Sequence, residues 1–390
     1  MDDRDAQRGG GSRRGLALVL AVALVAGTFS PAVAWADRGA GELALPVPTG
    51  PHPVGRTILH LVDPDRADPW VRHEPRELMV SIWYPARTGQ GRLAPYVTPA
   101  ESALILALRE IVDQPTDLFA RVRTHARVAV EPLDTAGRLP LVLLSPGFGF
   151  PRTSLSGLAE ELASNGYLVA GVDHNHESAA VTFPDGRVTG FLAAELDPDG
   201  PTVAGGRAAD LAFVLDRLGV APLSRRVDTR PCWSGAHLID PDRVAVVGHS
   251  MGGAAAARVM LVDRRFRAGA NLDGAFQPPL TADLDRPFLS VGAQWRGRPE
   301  NNPDWTASWP RFTGWRRWLS VDGATHSSFT DFAPLGEQIG RPIQSLPADR
   351  CVATTRAYVR AFLDLHLRQR PRPLLDAPTP DYSEVRFERT

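Results

Sequence analysis

Lysine is missing from this 390-residue chain: all 43 basic residues are arginine, a composition that codon bias in a GC-rich genome explains. An excess of charge of either sign is missing as well. The 44 acidic residues leave a formal net charge of −1, which excludes a dedicated nucleic-acid binder, whose surface normally carries a basic excess. Cysteine is scarce, with only Cys232 and Cys351. No CxxC pair and no Cys/His cluster is present, so nothing points to a bound metal. Long apolar runs are scarce too. The run Leu16–Ala26 is too short to cross a bilayer comfortably. What remains, at 43% hydrophobic and 22% charged, is an ordinary globular composition, long enough for one large α/β domain or two small ones.

The one apolar run has a specific setting. Arg13-Arg14 precede it, and Ala34-Trp35-Ala36 closes it with a small-x-small pattern. A charged start, a short apolar centre and a small-residue exit are the parts of a secretory signal. Residues 1–36 are therefore expected to be removed on export, with cleavage after Ala36 or Ala34, and the Arg13-Arg14 pair fits a twin-arginine signal. The expected product is an extracellular single domain, 37–390. Two free thiols would oxidise outside the cell, so Cys232 and Cys351 are expected to form one disulfide.

Along the mature chain, Gly55–Asp63 and Glu77–Pro85 alternate apolar and polar residues, as half-buried antiparallel strands do. Segment 95–132 carries helical periodicity in Ala100–Ile111 and Thr116–Val122 and reads equally as a lid or as a surface excursion. From Leu139 onward, apolar strands (Leu139–Ser145, Tyr167–Val172, Val244–Gly248, Ala268–Leu272, Pro287–Val291, Trp315–Val321) alternate with helices (Ser154–Asn165, Gly206–Leu218, Gly252–Val262, Val352–Leu367). Continuously apolar strands alternating with helices imply a mostly parallel sheet covered on both faces, with the antiparallel strands at its N-terminal end. The tail from Pro371 is expected to be loosely held. The tryptophan-rich stretch Trp295–Trp318 reads as core packing or as a lipid- or polymer-facing surface.

The chemistry-bearing motif is Gly248-His249-Ser250-Met251-Gly252, entered from the apolar run Val244–Val247 and followed by small residues suited to a helix. A G-x-S-x-G turn between strand and helix lifts a serine hydroxyl clear of the sheet in strained backbone geometry, and close packing at the turn demands glycine at its flanks. It also aims the Met251 N–H and a helix N-terminus at the place where an oxyanion forms. A serine nucleophile needs a histidine base and an acid to orient that base, in the order Ser, acid, His for such a strand–turn–helix. Only His326 and His366 follow Ser250. His366 falls in mid-helix, where a solvated face is the natural reading, so elimination favours His326. For the acid, Asp273 leaves the strand Ala268–Leu272 and is followed by Gly274, whereas Asp322 lies four residues before His326. Position favours Asp273 and leaves Asp322 open. His174 and His176 follow a strand end and read as structural hydrogen-bonding groups.

These motifs resemble the secreted platelet-activating-factor acetylhydrolases, the lipoprotein-associated type of phospholipase, and their bacterial relatives. The resemblance is carried by Leu141–Gly149 with Arg152-Thr153, Val172-Asp173-His174, Gly248–Gly253, Leu272-Asp273 and His326-x-x-Phe329-x-Asp331-Phe332, across about half of the chain. It implies an α/β-hydrolase fold, a Ser250–Asp273–His326 triad, and an oxyanion hole in which the Phe148 N–H, in the turn Ser145–Gly149, joins that of Met251. Pro146 stands where relatives commonly carry histidine, but a backbone donor tolerates that change. Segment 95–132 and the stretch around Cys232 depart from the animal enzymes.

The expected function is secreted hydrolysis of short-acyl esters or of phospholipid acyl groups through an acyl-enzyme. No cofactor, metal or obligate protein partner is implied, and the partner is a small-molecule ester or phospholipid met in solution or transiently at a lipid surface. A polyester or cutin hydrolase uses the same machinery on a shallower cleft. A peptidase lacks a legible charged specificity pocket, and a non-catalytic binding protein would not need an intact Ser250–Asp273–His326 set.

Overall fold

The structure is a computed structural model that describes residues 42–220 and 231–390; the expected export signal 1–36 lies outside them. The elements follow one another as β1 (Val54–Ala67), β2 (Pro75–Pro85), α1 (Pro99–Leu108), β3 (Leu139–Ser145), α2 (Ser156–Ser164) and β4 (Leu168–His174). A short hairpin, β5 (Ala180–Thr182) with β6 (Val188–Gly190), leads to α3 (Gly200–Arg217), β7 (Ile239–His249), α4 (Met251–Val262) and β8 (Phe266–Leu272). The chain continues through β9 (Phe288–Ala293), α5 (Pro303–Ser308), β10 (Arg316–Val321), α6 (Phe332–Gln338), α7 (Ala348–Arg368) and β11 (Val385–Arg389).

One sheet has the strand order β1-β2-β4-β3-β7-β8-β9-β10-β11. β4, β3, β7, β8, β9 and β10 run parallel, while the pairs β1–β2 and β2–β4 at one edge and β10–β11 at the other are antiparallel. The strand periodicity of two divides the core into two layers. Leu141, Leu143, Val244 and Val246 face α3 and α4, whereas Val142, Leu144, Ala245 and Val247 face α2 and α7. Both faces are covered, so the central strands need no polar alternation, and each buried Leu- or Phe-sized side chain contributes about 1.5–3 kcal/mol.

The helix starts obey local chemistry. Thr98 and Glu101 form a reciprocal capping box on α1. Asp199 caps α3 by accepting from the Thr202 N–H, which starts this helix at Gly200, ahead of the apolar periodicity that marks it from Gly206. Segment 95–132 is not a loose excursion at its base. Tyr96, Ile105, Leu106 and Phe119 pack with Leu43, Leu45 and Leu335 in a separate small cluster.

Three expectations are corrected. The tail after Pro371 is held: β11 pairs with β10, the Glu384 carboxylate accepts from Thr354 and Arg350, and Arg386 pairs with Asp322. Its five residues alternate charged and apolar groups, too short a signal to read as an edge strand. The expected disulfide is absent, and Cys232 and Cys351 are free thiols. Cys232 packs against the α3/α4 layer, while Cys351 lies in the first turn of α7 on the opposite face. With the sheet between them, their Cα atoms cannot come within the roughly 7 Å that a disulfide permits. His366 is half-buried rather than solvated, edge-on to Trp315 at 4.5 Å between ring centroids. Of the tryptophan-rich stretch, Trp305, Trp309 and Trp318 are buried and only Trp295 is strongly exposed, so most of it is core.

Candidate active site

β7 delivers its last residue, His249, into a turn whose tip is Ser250. Ser250 has φ 54° and ψ −124°, a conformation sparsely populated by residues with a side chain. The neighbouring glycines follow from contact distances. A Cβ on Gly248 would lie 1.9 Å from the Gly252 carbonyl oxygen, and one on Gly252 would lie 1.9 Å from that of Ser145. The Ser250 N–H donates to the Leu272 carbonyl at 2.9 Å, and the Ser250 carbonyl accepts from Gly253 at 2.8 Å, which pins the turn at both ends.

β8 ends at Leu272, and Asp273 takes the left-handed conformation, with φ 57°. Its side chain is fully buried. Oδ1 accepts from the Ala293 N–H at 2.8 Å, and Oδ2 faces Nδ1 of His326 at 2.6 Å. On the other side of that ring, Nε2 lies 2.9 Å from the Ser250 hydroxyl. The chain of contacts runs from carboxylate to imidazole to hydroxyl. With Nδ1–H donating to the carboxylate, Nε2 is left with a lone pair that accepts from Ser250. Asp322, the other candidate acid, is elsewhere: it pairs with Arg298 at 3.0 Å and Arg386 at 2.6 Å on a partly exposed edge.

The turn Ser145–Gly149 runs against the elbow. A Cβ on Gly147 would lie 3.2 Å from the Ser250 Cβ. Gly149 donates to the Glu177 carbonyl at 2.8 Å and Phe150 to that of Gly147 at 3.1 Å. The N–H groups of Phe148 and Met251 have no protein acceptor among the described residues.

Beneath this turn lies a buried charged network; sequence reasoning gave His174 the structural hydrogen-bonding role it has here but missed the arginines and carboxylates around it. Arg207 of α3 donates to the Glu177 carboxylate at 2.6 Å and to the Pro146 and Gly147 carbonyls. His174 bridges Ser145, at 2.9 Å, and Asp210, at 2.8 Å; Arg76 joins Asp210 to Asp68. Burial alone would raise the Asp210 pKa, but Arg76 and His174 hold it far below the usual carboxylate range. Burial pushes His174 down, so it stays neutral. By holding two consecutive carbonyls, Arg207 fixes the backbone of the turn Ser145–Gly149. The signal was present in the sequence: Arg207 and Asp210 fall three residues apart in a helix packed against the sheet. His176, left-handed at φ 64°, lies between His174 and Glu177 in the loop after β4.

Two further supports were also missed. Asn271 bonds both the N–H and the carbonyl of Gly274 at 2.7 Å, and Trp305 Nε1 donates to the same carbonyl at 2.6 Å, which fixes the turn that presents Asp273. His249 Nε2 donates to the His326 carbonyl at 2.8 Å; burial, then the nearby His326, hold its pKa well below the ordinary value, so it is a neutral strut.

The profile of the family described as platelet-activating factor acetylhydrolase, isoform II, matches residues 39–187 and 236–368, most of the chain. The chain belongs to this family. With it comes membership of the carboxylic ester hydrolases. A probable 1-alkyl-2-acetylglycerophosphocholine esterase of Arthroderma benhamiae is 28% identical over 88% of this chain and 93% of that protein. The platelet-activating factor acetylhydrolase of Canis lupus familiaris is 28% identical across 52% of this chain and 50% of its own length. The solved structure of a ferulic acid esterase from Streptomyces cinnamoneus superposes with a TM-score of 0.77, at 40% identity, covering 90% of this chain and all of that one. The platelet-activating factor acetylhydrolase family thus carries an α/β-hydrolase fold here, as the sequence led us to expect.

Proposed function

We propose that this protein is a secreted serine esterase of short-acyl esters, with Ser250 as nucleophile, His326 as general base and acid, and Asp273 as the acid that orients it. One observation carries this reading: the continuous contact from the Asp273 carboxylate through the His326 ring to the Ser250 hydroxyl, at 2.6 and 2.9 Å. Ser250 Oγ attacks the ester carbonyl carbon as its proton passes to His326 Nε2. The carbonyl oxygen becomes an oxyanion, received by the open N–H groups of Phe148 and Met251. His326 then returns the proton to the departing alcohol oxygen as the carbon–oxygen ester bond breaks, leaving an acyl-serine. Water repeats the sequence: its proton goes to Nε2, its oxygen joins the carbonyl carbon, and Ser250 leaves with the proton as the free acid is released. The Asp273 carboxyl group stabilises the imidazolium that forms between the steps.

Short acyl groups are the preferred substrates in this reading, with the names of the family's members as support. The cutinase of Thermobifida alba, 26% identical across 50% of this chain and 53% of its own length, supports a second reading as a polyester or cutin hydrolase. Export rests on the N-terminal pattern of residues 1–36; no helix among the described residues is long and apolar enough to cross a membrane.

The test is Ser250→Ala, which removes one hydroxyl from a partly exposed turn. Turnover of p-nitrophenyl butyrate is expected to fall on the order of 10⁴-fold, and labelling by a fluorophosphonate to vanish. Residual activity above about a tenth of wild type would refute the nucleophile. A series from acetyl to palmitoyl esters, beside a polyester film, separates the two readings of substrate.

A further inference from the structure

At the end of the sheet where the parallel strands begin, the surface folds into a cavity of about 620 Å³. Leu139 and Pro140 of β3, Asn165 and Gly166 ahead of β4, and the last turn of α7 line it. β7 runs from Arg243 at this cavity toward Ser250 at the opposite end of the sheet, a span of about 23 Å at about 3.3 Å per residue. The cavity is therefore no part of the site that holds Ser250. In a chain with a formal net charge of −1, it is lined by six arginines and a single carboxylate, that of Asp364.

The end of α7 gathers three of these arginines. Gln369 turns left-handed at φ 55°, and the Arg370 N–H bonds back to the Asp364 carbonyl at 3.0 Å, which brings Arg368, Arg370 and Arg372 to one wall. Arg368 is firmly seated. It donates to the Asn165 and Gly166 carbonyls at 3.0 and 2.7 Å, and its guanidinium lies 3.7 Å from the centre of the Tyr167 ring.

Pairing leaves the cluster short of negative charge. Arg368 and Arg372 share Asp364, Arg360 meets Glu161 at 3.1 Å, and Arg243 meets Asp240 at 2.5 Å. Arg138 and Arg370 are exposed and meet no carboxylate among the described residues, and Nε of Arg372 is buried without an acceptor. The carbonyl ends of α2 and α7 add about half a negative charge each. After all of these, about two positive charges remain unmatched. A phosphate group carries about −1.5 to −2 near neutral pH and offers three strong acceptor oxygens to guanidinium forks. The cavity volume also falls in the range of small-molecule sites, about 300–1,000 Å³.

We propose that this arginine-lined cavity binds a phosphate group, free or as the head of a phosphomonoester, at a site remote from Ser250. The competing role is structural: the arginines only seat the ends of α2 and α7 and are otherwise solvated. That role predicts no affinity for phosphate beyond an ionic-strength effect.

Isothermal titration calorimetry of the whole protein with inorganic phosphate, at an ionic strength held constant with chloride, separates the two. A Kd of about 1 mM or tighter is expected. The double variant Arg138→Gln/Arg370→Gln should weaken it about tenfold or more, as lost hydrogen bonds to a charged group imply. Neither side chain makes a hydrogen bond among the described residues, so both changes spare the fold; Arg370→Gln alone is the milder variant and should weaken binding at least about threefold. Arg121→Gln, which removes an exposed arginine paired with Asp117 in segment 95–132, is the control and should stay within about twofold. Glycerol 3-phosphate binding tighter than inorganic phosphate assigns the site to a soluble phosphomonoester. Sedimentation with phosphatidic acid vesicles, but not with phosphatidylcholine vesicles, assigns it to a lipid headgroup, and neither result leaves the free ion as the ligand. No heat of binding above that of the chloride blank, an affinity unchanged in both cavity variants, or an equal loss in Arg121→Gln overturns the proposal.

Discussion

Asp273→Asn is the most informative perturbation of the candidate triad. In the native site one carboxylate oxygen accepts the Ala293 N–H at 2.8 Å and the other accepts Nδ1–H of His326 at 2.6 Å. The amide has one acceptor and one donor end. With its oxygen kept on the Ala293 N–H, its NH₂ faces Nδ1, which must then carry a lone pair, and the imidazole proton moves to Nε2. That nitrogen now donates toward Ser250 and cannot take its proton. The expected cost is about 10⁴ in kcat, or about 5.4 kcal/mol of transition-state stabilisation, with folding preserved because the side chain keeps its shape. Asp322→Asn is the control. Its hydrogen bonds to Arg386 and Arg298, which hold its carboxyl below the usual range, are partly exposed. Losing both should lower stability by about 1–2 kcal/mol at most and leave kcat within about twofold. The assay is steady-state hydrolysis of p-nitrophenyl butyrate by both variants across pH, with circular dichroism to verify folding. A large loss in Asp322→Asn beside near-normal Asp273→Asn would refute the reasoning and, with it, the assigned orientation of His326.

Two further outcomes concern the rest of the molecule. Mass spectrometry of freshly purified, non-reduced protein should find Cys232 and Cys351 each alkylatable after denaturation, and reductant should leave Tm unchanged; in the fold Cys351 should react slowly, since burial lifts its thiol pKa to about 11. His366, lowered to about 4 by burial and then by Arg317, is neutral in the fold but takes a proton in the unfolded chain below about pH 6.5. Its contribution is complete above that pH and is lost as pH falls from there toward about 4. His366→Leu should therefore flatten the decline of unfolding free energy over that window, measured by urea titration; an unaltered slope would show that His366 is not buried neutral.

The sequence by itself determined the parts of this protein that are local. The run Val244–Gly252 specifies a strand, a strained turn and a helix within a few residues, because the close approach at Gly248 and Gly252 admits no side chain. Chain order left His326 as base once His366 was assigned to a helix. The alternation of apolar strands and helices implied the doubly covered parallel sheet. Asp273 was favoured over Asp322 by position and by the family resemblance, not by any contact, since side chains far apart in sequence meet only when the sheet is assembled; its approach to His326, which follows β10, depends on β8, β9 and β10 lying side by side.

Tertiary structure alone decided which groups share an interior. The faces of the sheet part Cys232 from Cys351, a fact that neither residue's sequence surroundings carry. Arg76 of β2, Glu177 of the loop after β4, and Arg207 and Asp210 of α3 come from three separate segments and are charged, so each reads alone as a solvated surface residue; they enter the interior together because each meets a partner there. β11 is the same lesson at an edge: Val385–Arg389 is too short and too charged to signal a strand until β10 offers it a row of unpaired backbone groups. Local chemistry is written in neighbouring residues. Burial and pairing depend on contacts between elements distant in the chain, which no window of sequence contains.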